Sequence, residues 1–472
     1  ALRRGLVNEV VHAEHLEMAA RKAALATHLP TPKPVALMDR CLSHWPLSSL
    51  VAWKARRDLN RKTRGLYLAP LRALDVAVRG LRKSVPGSLA LEHAAMTELA
   101  ATSDTGRLID FFFRREEASK RPYAADVTPM PVTSVVVIGA GVMGSGIAHW
   151  MAVRGLPVLM TDVSPEALAK GMMRIRELVQ EAVKRRLISK VEGREVLDRI
   201  STSHERVPLH RYSVVIEAAS ENMEVKKTIL RDLAARCGAD TILATNTSAL
   251  SVTEMAEAVP HPERVLGLHF FNPVHRMPLV EVITTAHSRP VHVATLHAFA
   301  QRIGKTPVVV KDSPGFVVNR ILTPYLMEAV RLVEAGHEVE HVDEATLEFG
   351  LPMGPLRLLD EIGLDVAKHV ADSLKLDSAL IDRLVEEGRL GRKSGRGFYD
   401  HRIGRAEHVL MEPRVPAELD IMAHLAGVLS DEAEKVHRAG IVRSAADIDL
   451  AMVLGTGYPP VRGGPLAYAG VS

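Results

Sequence analysis

Residues 135–162 read VVVIGAGVMGSGIAHWMAVRGLPVLMTD, and the order of residue types in this stretch decides the fold. Four apolar residues, Val135–Ile138, run into Gly139-Ala140-Gly141-Val142-Met143-Gly144. A helix-compatible stretch follows, then Gly155, a second apolar run over 157–160, and Asp162, 23 residues beyond Gly139. Strand, glycine turn, helix, strand and then an acid is the order of a dinucleotide-binding βαβ unit. Gly139 allows the tight turn, Gly141 lets backbone approach a pyrophosphate, and Gly144 lets the helix pack close to the sheet. The free N–H groups of the helix N-terminus face the diphosphate. Asp162 is placed to accept hydrogen bonds from the ribose hydroxyls and repels a 2′-phosphate, so the expected cofactor is NAD.

A membrane span competes for part of this stretch, because residues 132–153 carry no charge and are long enough. Four glycines, a histidine, the lack of flanking aromatic belts and the strand-like segment that follows argue against it.

Working outward, 472 residues suit roughly three domains. Apolar residues make up 47% and charged ones 25%, the balance of a globular protein with ample core. Sixty basic against 56 acidic residues give only +4, which does not suggest nucleic-acid binding but suits an anionic small substrate. The two cysteines, Cys41 and Cys237, lie far apart without a CxxC, so neither a disulfide framework nor a metal site is expected. The first residues, ALRRGLVNEVV, have no signal-peptide pattern and read as the middle of something, so the chain is expected to be a fragment.

Residues 1–130 read as helical: 16–29, ending before Pro30, Pro32 and Pro34, then 47–60, 68–81, 88–101 and 104–115. Residues 122–131, with three prolines, form a linker. Further strands are expected at 214–219, 241–244, 265–269, 279–283 and 307–310. Ser164-Pro165 starts a helix, and Ser251 with Glu254 forms a capping box. From Phe316 the pattern stays helical. There Glu328-Ala329 matches Glu432-Ala433, Asp343 matches Asp449, and Gly354-Pro355 matches Gly464-Pro465, an internal repeat indicating two related helical units. The fold expected is α/β then all-α: a helical region over 1–130, a Rossmann-type domain over 131–313, and helical domains over 314–405 and 406–472.

A nicotinamide site needs a group to take the alcohol proton, and His269 is the natural base. A histidine at a strand end is ordinarily structural. Glu281, however, interrupts an apolar strand and must find a partner, and an adjacent imidazole would satisfy it. Spacing leaves open whether the two meet.

HFFNPV with LVEVI, TNTSAL and SPGFVVNR, together with the glycine fingerprint, resemble the L-3-hydroxyacyl-CoA dehydrogenases. The layout resembles the family's form in the α-subunit of the fatty-acid β-oxidation multienzyme. ALRRGLVNEVV is similar to the end of its enoyl-CoA hydratase domain, and RDLNRKTRGLYLAPLRALD to the segment joining that domain to the dehydrogenase. LDEIGLDVAKHV and GRKSGRGFYD match its helical domain. The resemblance implies that His269 accepts the proton of a 3-hydroxyl while Glu281 orients it. It also implies that Ser248 and Asn319 align the substrate, and that Asn272 lies beside the nicotinamide. Gly139, Gly141, Met143, Gly144, Asp162, Ala219, Glu221, Lys226 and Ser248 would line the NAD site. The implied substrate is an acyl-CoA, the implied partner a thiolase β-subunit in an α2β2-type complex, and the location the bacterial cytoplasm or an organelle matrix. Hydratase activity is not expected, since its carboxylates would lie upstream of residue 1.

Ordinary roles compete at single positions. Asn246 and Ser248 could cap the next helix, Asn319 could be a local cap, and Lys226 could sit on a solvated face. Rivals for the whole chain are a short-chain 3-hydroxybutyryl-CoA dehydrogenase, a non-catalytic fragment docking a thiolase, and a redox sensor that binds NAD(H) without turnover.

Overall fold

The computed structural model describes residues 7, 9–11, 15–26, 47–407, 409 and 418–471. The proline cluster at 30–34, the last residues of the helix expected over 16–29, and Cys41 lie outside them. The chain divides into two compact units, Ala1–Thr102 and Ser103–Ser472.

The first unit holds helices α1 (Leu16–Leu25), α2 (Leu47–Thr63), α3 (Leu68–Gly80) and α4 (Val85–Ala100). Helices α2, α3 and α4 pack in succession and are tied by the ion pairs Arg56–Asp75 and Arg72–Glu98. Among the unit's described residues only Ser48 is buried, so these helices have almost no core of their own.

The second unit opens with α5 (Ser103–Lys120), inside the segment 1–130 that the sequence suggested as one region. Gln301 Nε2 donates to the carbonyls of Ala118 and Arg121 at 2.9 and 2.8 Å, and Ser119 Oγ stands 3.4 Å from Thr306 Oγ1. Helix α5 therefore packs beside the edge strand of the sheet, where an uncovered row of backbone groups would be a liability.

Strands and helices then alternate: β1 (Val135–Ile138), α6 (Val142–Val153), β2 (Val158–Thr161), α7 (Pro165–Lys184), α8 (Lys190–Asp198), β3 (Ile200–Ser203), β4 (Val214–Glu217), α9 (Met223–Arg236), β5 (Ile242–Thr245), α10 (Val252–Ala256), β6 (Val265–Phe270), β7 (Leu279–Thr284), α11 (Pro290–Arg302) and β8 (Thr306–Lys311). They form one sheet in the order β3-β2-β1-β4-β5-β6-β7-β8. Helices cover both faces, which is why β1, β4 and β5 read as unbroken apolar runs. Val135 and Val137 face one core with Ile147, Met151 and Ile175, while Val136 faces the other with Leu230 and Leu233. Strand β3, ISTS, has no such run; it is an edge strand with two exposed residues, and the sequence did not reveal it.

Strands β1 to β6 are parallel, but β7 runs antiparallel to β6. Only eight residues, 271–278, join them, too few for the crossover that a parallel pair requires.

Beyond the sheet come α12 (Val318–Glu334), α13 (Val339–Phe349), α14 (Pro355–Ile362), α15 (Leu364–Ser373), α16 (Ala379–Glu386), a short hairpin of β9 (Tyr399–Asp400) and β10 (Arg405–Ala406), then α17 (Ile421–Arg438), α18 (Ala445–Thr456) and α19 (Pro465–Ala469). Their apolar residues merge with Leu279, Ile283, Val308 and Val310 of β7 and β8 into one core.

The internal repeat is visible in three dimensions. Asp343 accepts backbone bonds from Leu356 and Arg357 at 2.8 and 3.1 Å, capping α14. Asp449 does the same for α19 through Leu466 and Ala467 at 2.9 and 3.2 Å. A Cβ on Gly354 or Gly464 would collide with the respective aspartate, which explains why both helices begin Gly-Pro. Helices α12 and α17 pack antiparallel through reciprocal pairs, Arg320–Glu432 at 2.7 Å and His424–Glu328 at 2.8 Å. Each pair joins an early residue of one helix to a later residue of the other.

Candidate active site

The glycine turn has the shape the sequence required. Gly139 lies at φ +100°, a conformation open to glycine, and a Cβ on Gly144 would overlap the Gly139 carbonyl oxygen. Nothing stands within 4 Å of the place a Gly141 Cβ would occupy, so this face of the turn is open to a ligand. Met143 is half-buried against the core beneath. Asp162, just past β2, accepts from Ala140 N at 2.8 Å and Ser164 N at 3.1 Å, which fixes its carboxylate beside the turn. An open anion-binding turn at the start of a 12-residue helix, with a held carboxylate alongside, fits the diphosphate and ribose of NAD.

The rest of the expected cofactor side gathers at the ends of β4 and β5. Ala219 N donates to Glu217 Oε1 at 2.7 Å. Glu221 Oε1 accepts from Thr247 Oγ1 and Ser248 N, each at 2.7 Å, and so holds the loop after β5. Lys226 is not on a solvated face: it is fully buried, with Nζ 2.9 Å from both oxygens of Glu217 and 3.4 Å from Glu221. Asn272 is exposed, two residues past β6.

His269 and Glu281 meet. The hairpin register sets them directly opposite each other, and Nδ1 of the imidazole lies 2.7 Å from Glu281 Oε2. Both side chains are buried. The other oxygen, Oε1, accepts from Val317 N and Val318 N at 3.1 Å each, at the start of α12. With its carboxylate anchored on two backbone donors, Glu281 takes the Nδ1–H of the ring and leaves Nε2 as the free nitrogen. Phe271 and Phe316 flank the imidazole, with ring centroids 4.4 and 5.8 Å away. Phe316 holds φ +54°, a left-handed backbone that few aromatic residues adopt.

Asn319 is not a local cap. Its Nδ2 donates to the Ser248 carbonyl at 3.0 Å, linking the first turn of α12 to the loop after β5. Ser251, not Ser248 or Asn246, caps α10, and its hydroxyl donates to Asp312 at 2.8 Å. Asn246 instead receives Phe270 N at 2.8 Å, bracing the strand that carries His269.

Several contributors escaped the sequence reading. Glu217 ends the apolar run of β4, and a charge closing a buried strand is the signal that marks it. The two backbone donors to Glu281 and the Phe316 ring come from the start of the helical unit, and no local pattern reveals that; Phe271 lies only two residues beyond His269. Among the described residues, no group of three or more His, Cys, Asp or Glu is arranged to hold a metal.

Comparison with known proteins identifies the family. Residues 134–313 match the NAD binding domain of 3-hydroxyacyl-CoA dehydrogenase, and residues 315–401 match its C-terminal domain. The chain belongs to the 3-hydroxyacyl-CoA dehydrogenase family. It is an NAD-dependent oxidoreductase. It is 35% identical over 488 residues to the fatty acid oxidation complex subunit alpha of Shewanella loihica, covering 99% of this chain and 69% of that protein. Among solved structures, the 3-hydroxybutyryl-CoA dehydrogenase of Escherichia coli superimposes with a TM-score of 0.65 at 31% identity, over 72% of this chain and 92% of that one. The (S)-3-hydroxybutyryl-CoA dehydrogenase of Ralstonia eutropha gives 0.55 at 38% identity, over 57% and 99%.

Proposed function

We propose that this dehydrogenase oxidises (S)-3-hydroxyacyl-CoA to 3-ketoacyl-CoA in fatty-acid β-oxidation, with His269 as base. The buried His269–Glu281 pair at 2.7 Å carries this reading, because it presents a fixed imidazole whose Nε2 is free to take a proton. NAD held at the glycine turn beside Asp162 would supply the acceptor for the hydride of C3. His269 Nε2 removes the 3-hydroxyl proton as the C3–H bond breaks. Glu281 holds the ring in the tautomer that leaves Nε2 unprotonated, then balances the imidazolium that forms. Ser248 and Asn319, already in contact, align the substrate oxygens. Gly139, Gly141, Met143, Asp162, Ala219, Glu221, Ser248 and Asn272 line the cofactor side, and Gly144 and the buried Lys226 support it from behind. In domain terms, residues 131–313 bind the cofactor, 314–405 close the substrate cleft, and 406–472 repeat that helical unit.

The Shewanella relative is named as subunit alpha of a fatty acid oxidation complex, which supports a place in such a complex beside a β-subunit; a thiolase as that subunit and the bacterial cytoplasm as the location belong to the same proposal. Among the described residues, no helix is long and apolar enough to cross a membrane. A preference for short 3-hydroxybutyryl-CoA is the second reading, favoured by the named activity of the Escherichia coli and Ralstonia structures. Rates with 3-hydroxybutyryl-CoA and with a long-chain homologue separate the two.

The deciding experiment is NADH oxidation with acetoacetyl-CoA, comparing the chain with His269→Ala. The variant should bind NADH and lose kcat by about 10²–10⁴-fold. Near-normal turnover in the variant would remove His269 from the mechanism.

A further inference from the structure

At the cofactor end of the sheet, one fully buried carboxylate has more partners than any role given to it so far. Glu217 closes β4, in register with Ile138 at the glycine turn. Its Oε1 accepts from Ala219 N at 2.7 Å, its Oε2 from Thr245 Oγ1 at 2.6 Å, and both oxygens take Lys226 Nζ at 2.9 Å. Lys226 reaches on to Glu221 Oε2 at 3.4 Å. Glu221 in turn holds Ser248 N, and the Ser248 carbonyl receives Asn319 Nδ2. Contacts thus run without a break from the end of β4 to the first turn of α12.

We propose that Glu217 is a positioning residue. By holding the Lys226 ammonium from below, it sets the place of Glu221 and of the Ser248 loop, and so joins the cofactor crevice to the substrate-aligning residues. The inference rests on the NAD-dependent dehydrogenase reading and deepens it. A buried ammonium must be paired, and Lys226 shares itself between two carboxylates, closely with Glu217 and loosely with Glu221. Without the Glu217 charge, Lys226 draws Glu221 into close contact. Glu221 then leaves Ser248 N, and the loop loses its anchor.

A purely structural role makes a different prediction. Removing one member of a buried ion pair is costly, whereas replacing both with neutral residues of similar volume is often nearly neutral for stability. The test therefore compares Glu217→Gln, Lys226→Met and the double variant in the full chain. It measures unfolding temperature, NADH affinity by nucleotide fluorescence, and kcat with acetoacetyl-CoA. Glu217→Gln should weaken NADH binding and lower kcat by about tenfold or more each. The double variant should regain the unfolding temperature lost in Lys226→Met, and it should bind NADH no more weakly than Lys226→Met, because with the ammonium gone nothing pulls Glu221 from Ser248 N. A double variant that adds the full Glu217→Gln loss of NADH affinity to that of Lys226→Met would show that Glu217 does not act through Lys226 and overturn the proposal. So would a Glu217→Gln protein that binds NADH within about twofold of the parent. If the parent binds NADH but does not turn over acetoacetyl-CoA, the reaction assignment fails, while the NADH affinities still decide the role of Glu217.

Discussion

Replacing Glu281 with Gln keeps the shape of the site and reverses the proton arrangement in it. The carboxylate serves two sets of donors: Oε1 takes the N–H groups of Val317 and Val318, and Oε2 takes His269 Nδ1. A glutamine has one oxygen, and the two buried backbone donors claim it, because a buried unpaired N–H costs about 1–3 kcal/mol. The amide NH2 then faces His269, so Nδ1 must accept and the ring proton moves to Nε2. The base is now blocked on the face where it should receive the substrate proton. The same loss of tautomer in a Ser-His-Asp triad lowers kcat by about 10⁴-fold, equivalent to about 5 kcal/mol at 1.36 kcal/mol per tenfold. The assay is NAD reduction with (S)-3-hydroxybutyryl-CoA, alongside NADH affinity and thermal unfolding. We expect a kcat loss of about 10³–10⁴-fold, NADH affinity within about threefold, and a folded protein. A kcat loss smaller than about tenfold would refute the tautomer argument, and with it the role of Glu281.

Two other perturbations probe the frame around the dyad. Gly144→Ala puts a methyl group onto the Gly139 carbonyl oxygen, so it should cost about 1–3 kcal/mol of stability and abolish measurable NADH binding; a variant that binds NADH normally would contradict the turn geometry. Burial pushes Asp449 up to about 6 from its ordinary 3.8, and Asp343 likewise. A raised carboxyl favours the fold fully below the unfolded value of 3.8, and that contribution is lost as pH climbs to about 6, up to about 3 kcal/mol per group. Asp449→Asn should make stability fall less steeply as pH rises between those values, and an unchanged slope in urea unfolding would rule out the assignment.

The sequence by itself determined the glycine turn of the cofactor half. The run from Val135 to Asp162 contains every element of the turn within one local stretch: strand, three glycines and acid are fixed by backbone sterics between near neighbours. The internal repeat was legible for the same reason, since Asp343 with Gly354 and Asp449 with Gly464 are short-range capping units written twice. The capping serine at Ser164 needed only its own neighbours. The substrate half could not be read this way. His269 and Glu281 stood out as candidates, but the short turn between β6 and β7, which runs them antiparallel, sets them opposite each other. The donors that hold Glu281, and the bond from Asn319 to Ser248, belong to a helix that begins 36 residues or more after the groups it touches. Lys226, expected at the NAD site with a solvated face as the alternative, is fully buried, because the packed sheet brings Glu217 against it. Local backbone preference is encoded in neighbours and survives reading one stretch at a time. The pairing of buried charges is a property of the closed core, and only the tertiary structure decided it.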